Sequence, residues 1–76
     1  MDVELLNEQV QVERKLFLFT LKENPRGRFL KVTEDVSGRR DTIIIPSTGL
    51  DSIRDILTKA IKADKDAGPF KAVEEV

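Results

Sequence analysis

Seventy-six residues make one small domain, and the absence of cysteine and histidine excludes disulfides, zinc sites built from the usual ligands, and catalysis that needs an imidazole or a thiol. The net charge is only −1, but residues 14–40 carry eight basic and three acidic side chains, whereas residues 1–13 carry four acids and no base. Because phosphate binding depends on the local field, this basic segment favours a polyanionic partner despite the net charge.

Four strands are predicted before residue 46. Residues 3–12 form the first strand, and the aromatic and aliphatic run at 16–22 forms the second and best buried. Residues 28–34 alternate in period two and form the third strand, and the β-branched residues 41–45 form the fourth, which Pro46 ends. The links are too short for a crossover helix, so the sheet is expected to be an antiparallel meander.

Two of the links carry strong turn signals. Asn24 is expected to accept a hydrogen bond from the turn backbone, Pro25 fixes φ at the next position, and Gly27 closes the turn. Ser37 and Gly38 predict a second turn between the third and fourth strands.

After Pro46 the period changes to that of an amphipathic helix. Apolar residues recur at spacings of three and four, at Leu50, Ile53, Ile56, Leu57, Ala60 and Ile61. Ser47 or Thr48 is expected to cap the helix, and Gly68-Pro69 to end it. The predicted order is therefore ββββα, an α+β fold with one antiparallel sheet and one C-terminal helix.

Strand parity separates the two faces of this sheet. The helix is expected to cover the face that carries Phe17 and Phe19, which leaves Phe29 on the other face with Lys22 and Lys31. A phenylalanine beside two lysines suits base stacking, which contributes about 1–3 kcal/mol per base. The alternative is that Phe29 belongs to a sheet or dimer interface, since Leu16 and Leu18 share its face.

The same hairpin carries a family resemblance. Residues 22–32, Lys-Glu-Asn-Pro-Arg-Gly-Arg-Phe-Leu-Lys-Val, resemble the signature of the PUR repeat of the purine-rich-element-binding Pur-alpha family, and the likeness covers roughly residues 5–63. The resemblance implies a ββββα repeat, two of which intertwine into one whirly-like domain. It also implies binding to single-stranded, purine-rich, often GGN-containing DNA or RNA.

The resemblance places nucleic-acid contacts around the hairpin and in the link between the first two strands. The candidate binding residues are Lys22, Asn24, Arg26, Phe29, Arg14 and Lys15, together with the neighbouring basic residues Arg28 and Lys31. The chain departs from the family at Thr20, where an aspartate is frequent, and at Leu18, where an aromatic is frequent. Glu13 is acidic in a link that is usually neutral, which lowers the contribution expected from that link.

Residues 1–67 are interpreted as a single repeat, half of a PUR domain, and residues 68–76 as a tail or the start of a following segment. Since the missing half must come from another copy, we expect a homodimer. No run of residues is apolar enough for a membrane span and no signal peptide is evident, so an intracellular protein is expected, nuclear or cytoplasmic if eukaryotic.

The function predicted from the sequence is a dimeric single-stranded nucleic-acid-binding module acting in transcription or RNA regulation, with no cofactor and no metal. The main alternative is a dimerisation repeat that binds nucleic acid weakly or not at all; another single-stranded-DNA-binding ββββα family, of the whirly or coactivator type, is a second. An enzyme is disfavoured because the sequence shows no paired acid–base set, phosphate loop or metal-ligand spacing.

Overall fold

The computed structural model describes residues 2–71. The elements are β1 (Val3–Val12), β2 (Lys15–Asn24), β3 (Gly27–Val36), β4 (Arg39–Pro46), a 3₁₀ turn (Ser47–Gly49) and α1 (Leu50–Ala67). The predicted ββββα order and α+β class are confirmed. The first strand has its predicted bounds, and the other three extend one or two residues further at each end.

The sheet is an antiparallel meander whose strand order follows the chain, β1-β2-β3-β4. Its links are tight, and three of their residues have positive φ: Glu13 at 54°, Ser37 at 54° and Gly38 at 86°. Positive φ at both Ser37 and Gly38 is the requirement of a type I′ turn, whose twist matches that of the strands it joins. The predicted turn at this position is confirmed.

The strand register gives the sheet two different faces. On one face Lys22 lies opposite Phe29, and Lys31 lies two residues further along β3; we call this the lysine face. On the other, Phe19 lies opposite Val32 and Leu21 opposite Leu30, while Phe17 lies opposite Glu34; we call this the apolar face. The parity predicted from the sequence is thus confirmed by the register.

The helix does not cover the apolar face, which corrects the expectation from the sequence. Within residues 2–71, α1 has no extensive contact with any strand and meets the rest of the chain mainly at the 3₁₀ turn. Gly49 and Leu50 both have helical backbone angles, so the 3₁₀ turn continues directly into α1. The chain therefore has no loop residue there at which it could reverse onto the sheet.

The sequence predicted the C-terminal end of α1 correctly but not the residue that caps its N-terminal end. Neither Ser47 nor Thr48 caps the helix, contrary to the prediction, because both lie within the 3₁₀ turn and Gly49 occupies the N-cap position without a side-chain hydrogen bond. At the other end Gly68 has φ 76°, and its N–H donates to the Lys65 carbonyl at 3.1 Å. The predicted end of the helix is confirmed.

The described part of the chain has no buried hydrophobic core. Among residues 2–71, Thr33 alone is classed as buried, at 7% exposure. The radius of gyration is 16.3 Å, whereas a compact chain of this length has a value of about 11 Å. An apolar stripe on α1, formed by Ile53, Ile56, Leu57 and Ile61, and much of the apolar face are left without a covering layer.

Candidate nucleic-acid interface

The β2–β3 hairpin ends in a turn that its own side chains hold. The backbone N–H of Arg26 donates to Oδ1 of Asn24 at 2.9 Å, as the sequence predicts. Gly27 has φ 141°, a conformation that L-residues rarely adopt, although a Cβ there would meet no atom within 4 Å. Pro25, Arg26 and Gly27 are exposed, so the tip of the hairpin projects into solvent with its conformation fixed.

Below the tip, the lysine face brings an aromatic ring and two cations together. Lys22 is directly opposite Phe29, and residues so paired have Cβ atoms about 4.5–5.5 Å apart. Pro46 is opposite Phe29 on its other side, so the ring lies between a flat apolar side chain and a lysine. Lys31 follows on the same face, opposite Thr20. Phe29, Lys22 and Lys31 are all half-buried.

The charges of this region remain available. Within residues 2–71, none of the ion pairs formed includes Lys22, Arg26 or Lys31. Glu4 lies opposite Lys22 on β1 and is the acidic side chain among the residues that lie side by side with Phe29 across the strands. Two lysines beside an aromatic ring, with Arg26 at the hairpin tip, form a surface that can meet phosphates and stack a base at the same time.

The structure separates two of the predicted binding residues from this group. Arg28 faces the apolar side of the sheet and its Nε donates to Oε1 of Glu23 at 2.7 Å. Lys15 also lies on that side, where its Nζ is 2.8 Å from Oε2 of Glu34. The hydrogen bond from this carboxylate, and then its charge, raise the pKa of Lys15 above its ordinary value.

Arg14 stands apart from both groups. It is exposed in the β1–β2 turn, at the end of the sheet opposite the hairpin tip. A strand of ten residues spans about 33 Å, so Arg14 is separated from Arg26 by roughly the length of the sheet. A nucleic acid that touches both must run along the strands.

The sequence did not identify Glu23 or Pro46 as neighbours of the site. Glu23 and Arg28 are five residues apart across a two-residue turn, and this spacing places them opposite each other. The sequence therefore contained enough information to predict their ion pair. Pro46 could be placed beside Phe29 only with the β3–β4 register. An open cavity of about 600 Å³ lies at the tip, lined by residues 23–28 and Val3.

Metal binding and membrane-crossing helices have no candidate in the described residues. Residues 2–71 contain no cluster of three or more acidic side chains that could hold a metal ion. Over the same range, no helix combines the length and hydropathy that crossing a membrane requires.

Comparison with known proteins gives one family. Residues 2–71 match the family model described as "PurA ssDNA and RNA-binding protein". Transcription factor Pur-alpha 1 of Arabidopsis thaliana is 48% identical over 64 residues, which cover 84% of this chain and 22% of that protein. Transcriptional activator protein Pur-alpha of Homo sapiens is 38% identical over 64 residues, covering 75% of this chain and 20% of that protein.

Transcriptional activator plp-1 of Caenorhabditis elegans is 39% identical over 56 residues, which cover 70% of this chain and 25% of that protein. The chain therefore spans only about a fifth to a quarter of the length of the curated relatives it matches.

Proposed function

The chain belongs to the PurA family of single-stranded DNA- and RNA-binding proteins, and on this premise we propose that it binds single-stranded, purine-rich DNA or RNA as a homodimer. The lysine face and the hairpin tip form the binding surface. The observation that carries this proposal is the placement of Phe29 between Lys22 and Pro46, with Lys31 and Arg26 nearby and outside the ion pairs.

Phe29 is proposed to stack a base. Its ring is half-exposed on a flat strand surface rather than enclosed in a core, so a base can approach one face of the ring. Stacking contributes about 1–3 kcal/mol per base and accepts any base, since each has a π-face. Lys22, Lys31 and Arg26 then meet the phosphates on either side of the stacked nucleotide, and Arg14 extends the electrostatic contact along the sheet.

Asn24 is proposed to act as a hydrogen-bond donor. Its Oδ1 already accepts the Arg26 N–H, so the end of the amide left for a ligand is the NH₂ group. Two donors match acceptor atoms such as purine N7, guanine O6 or a phosphate oxygen. The turn thus fixes not only where Asn24 lies but which kind of atom it can read.

A second copy of the chain is proposed to complete the fold. The apolar face and the apolar stripe of α1 are both uncovered, with Ile43 at 60% and Ile56 at 62% exposure. An 18-residue helix is about 27 Å long, close to the length of the strands that it would cover. Exchanging helices between two copies would bury both surfaces, in agreement with the intertwined pairs that the sequence resemblance implies.

The proposed role is binding rather than catalysis. Two of the relatives are named as transcriptional activators and one as a transcription factor. We extend that role to this chain as regulation of transcription or of RNA, carried out inside the cell.

The proposal is tested by titrating salt against binding of labelled single-stranded oligonucleotides, one a GGT repeat and one a pyrimidine repeat, while the mass in solution is measured by light scattering. We expect a dimer that prefers the purine-rich strand and loses affinity as salt rises. Lys22→Ala should reduce the slope of log K against log salt by about 0.7.

Lys59→Ala, on the exposed surface of α1, is the matched control and should leave that slope unchanged. A dimer that binds neither oligonucleotide would contradict the proposed nucleic-acid binding. The chain would then be better described as a dimerisation repeat. An unchanged slope for Lys22→Ala would remove Lys22 from the phosphate contacts.

A further inference from the structure

The Glu23–Arg28 ion pair has no part in the binding surface proposed so far. It lies on the opposite side of the hairpin from Phe29, with Arg28 Nε 2.7 Å from Glu23 Oε1. Both side chains are accessible, at 41% exposure for Glu23 and 59% for Arg28, and both line the open cavity of about 600 Å³ at the hairpin tip.

The hydrogen bonds of the pair leave a definite set of atoms for a ligand. Arg28 uses Nε on Oε1, and within residues 2–71 no other hydrogen bond uses its terminal NH₂ groups or the Oε2 of Glu23. The pair therefore offers donors next to an acceptor. Guanine presents the complement on its Watson–Crick edge, where the acceptor O6 lies beside the N1–H and N2–H₂ donors. Adenine presents the reverse at the corresponding positions, a donor amino group beside the acceptor N1.

We propose that Glu23 and Arg28 form a guanine-reading site within the hairpin-tip cavity. This rests on the proposed function, since it names the base that the bound strand supplies. Oε2 of Glu23 would accept from N1–H, and a terminal NH₂ group of Arg28 would donate to O6. Val3, opposite Glu23 on β1, adds an apolar wall against which the base can lie.

The position of the cavity suits a base of the same strand. The ion pair that lines it is on the opposite side of the hairpin from Phe29, so a strand that passes over Pro25 and Arg26 can stack one base on Phe29 and turn another toward Glu23 and Arg28. The pair also lies beyond the first apolar row, in which Leu21 pairs with Leu30. A second copy that covers the apolar rows therefore leaves the pair at the rim of the interface.

An exposed ion pair across two strands can also exist only to support the sheet, where it contributes about 0.2–1 kcal/mol. The two roles differ in base selectivity. A purely structural pair would alter the stability of the hairpin and affect all strands alike, whereas a reading site would alter the ratio of affinities for guanine and adenine.

The test compares binding of GGT-repeat and AAT-repeat single strands of equal length to the full chain and its variants. The wild-type protein should prefer the guanine strand. Glu23→Gln should lower that preference about five-fold or more, because a good pair of hydrogen bonds to a base contributes that much discrimination. Arg28→Lys keeps the positive charge but loses the planar guanidinium and its paired N–H donors. It should also lower the preference for the guanine strand.

Asp41→Asn removes one negative charge at the other end of the apolar face and is the control for general electrostatics; it should leave the preference unchanged. If Glu23→Gln and Arg28→Lys retain the wild-type preference while Phe29→Ala loses binding to both strands, the reading site is rejected and the proposed function stands. If the wild-type protein binds neither strand, the proposed function itself fails.

Discussion

At the tip of the β2–β3 hairpin, the two ends of the Asn24 amide have separate tasks. The oxygen holds the turn by accepting the Arg26 N–H at 2.9 Å, and the NH₂ group is the end that we propose donates to nucleic acid. A substitution that keeps the first task and removes the second is available, because an aspartate also accepts a hydrogen bond at this position but has no donor.

Asn24→Asp should therefore keep the thermal stability of the wild-type protein and bind a purine-rich single strand about ten-fold more weakly. The lost donor and the added negative charge both act against phosphates and base acceptors. Asn24→Ala should lose stability as well, by about 1 kcal/mol, because the Arg26 N–H loses its partner. Melting by circular dichroism and binding by fluorescence anisotropy separate these effects, and wild-type binding by Asn24→Asp would remove Asn24 from the interface.

Phe29→Ala should weaken binding by about 1–3 kcal/mol without unfolding the protein, since we propose that the half-exposed ring stacks a base rather than filling a core. The matched variant is Phe17→Ala on the apolar face, which should weaken self-association more than it weakens binding per dimer. Anisotropy and light scattering give the two readouts. A Phe29→Ala variant that fails to fold would show that the ring is structural.

The sequence predicted part of this site because strand parity is independent of long-range structure. Parity placed Phe29 and Lys31 on one face of β3, and the assignment of Leu30 and Val32 to the core placed Lys22 of β2 on that same face. Arg28 was grouped with them by proximity along the chain, and Lys15 was added from the family resemblance. The structure shows both on the other face, with Glu23 and Glu34 as partners. Those partners follow from the register, which depends on where each turn falls.

At the scale of the elements, α1 shows what an amphipathic pattern can and cannot predict. The spacing of Ile53, Ile56, Leu57 and Ile61 correctly predicted a helix with one apolar side. The periodicity indicates that one side of the helix is apolar and favours burial, but it does not indicate which surface that side packs against. The expectation that α1 would lie on its own sheet was therefore wrong, because the 3₁₀ turn carries the chain directly into the helix.

Ile56→Lys should break the association between two copies, since Ile56 is 62% exposed in one chain and lies in the middle of the apolar stripe. A lysine there would place an unpaired charge in the interface. Thr58→Lys, on the polar side of α1, should leave association unchanged. Light scattering across a dilution series distinguishes the two, and a fully dimeric Ile56→Lys variant would exclude the stripe from the interface.

At the scale of the whole molecule, the proposed dimer makes stability depend on protein concentration. The chain extends 57 × 30 × 18 Å and, over its described residues, buries no hydrophobic side chain. A fold completed by a second copy is stabilised by association, so its melting temperature depends on protein concentration.

We therefore expect the melting temperature to rise with each ten-fold increase in concentration, as measured by scanning calorimetry. The Ile56→Lys variant should melt at a lower temperature that does not change with concentration. If the wild-type melting temperature is the same at all concentrations while the protein remains monomeric, the chain is stable alone and the homodimer is rejected.

The meander order of the strands also sets the sequence of events during folding. Every strand pairs with its neighbour along the chain through a short link, so the contacts that make the sheet are local and can form rapidly. The helix has no such local surface, and in the proposed dimer it docks only after an encounter with a second copy. On a ribosome, a nascent chain of this kind would expose its apolar surfaces from release until that encounter. Faster synthesis would raise the local concentration of copies. It would thereby shorten the time during which the exposed apolar surfaces can bind other proteins non-specifically.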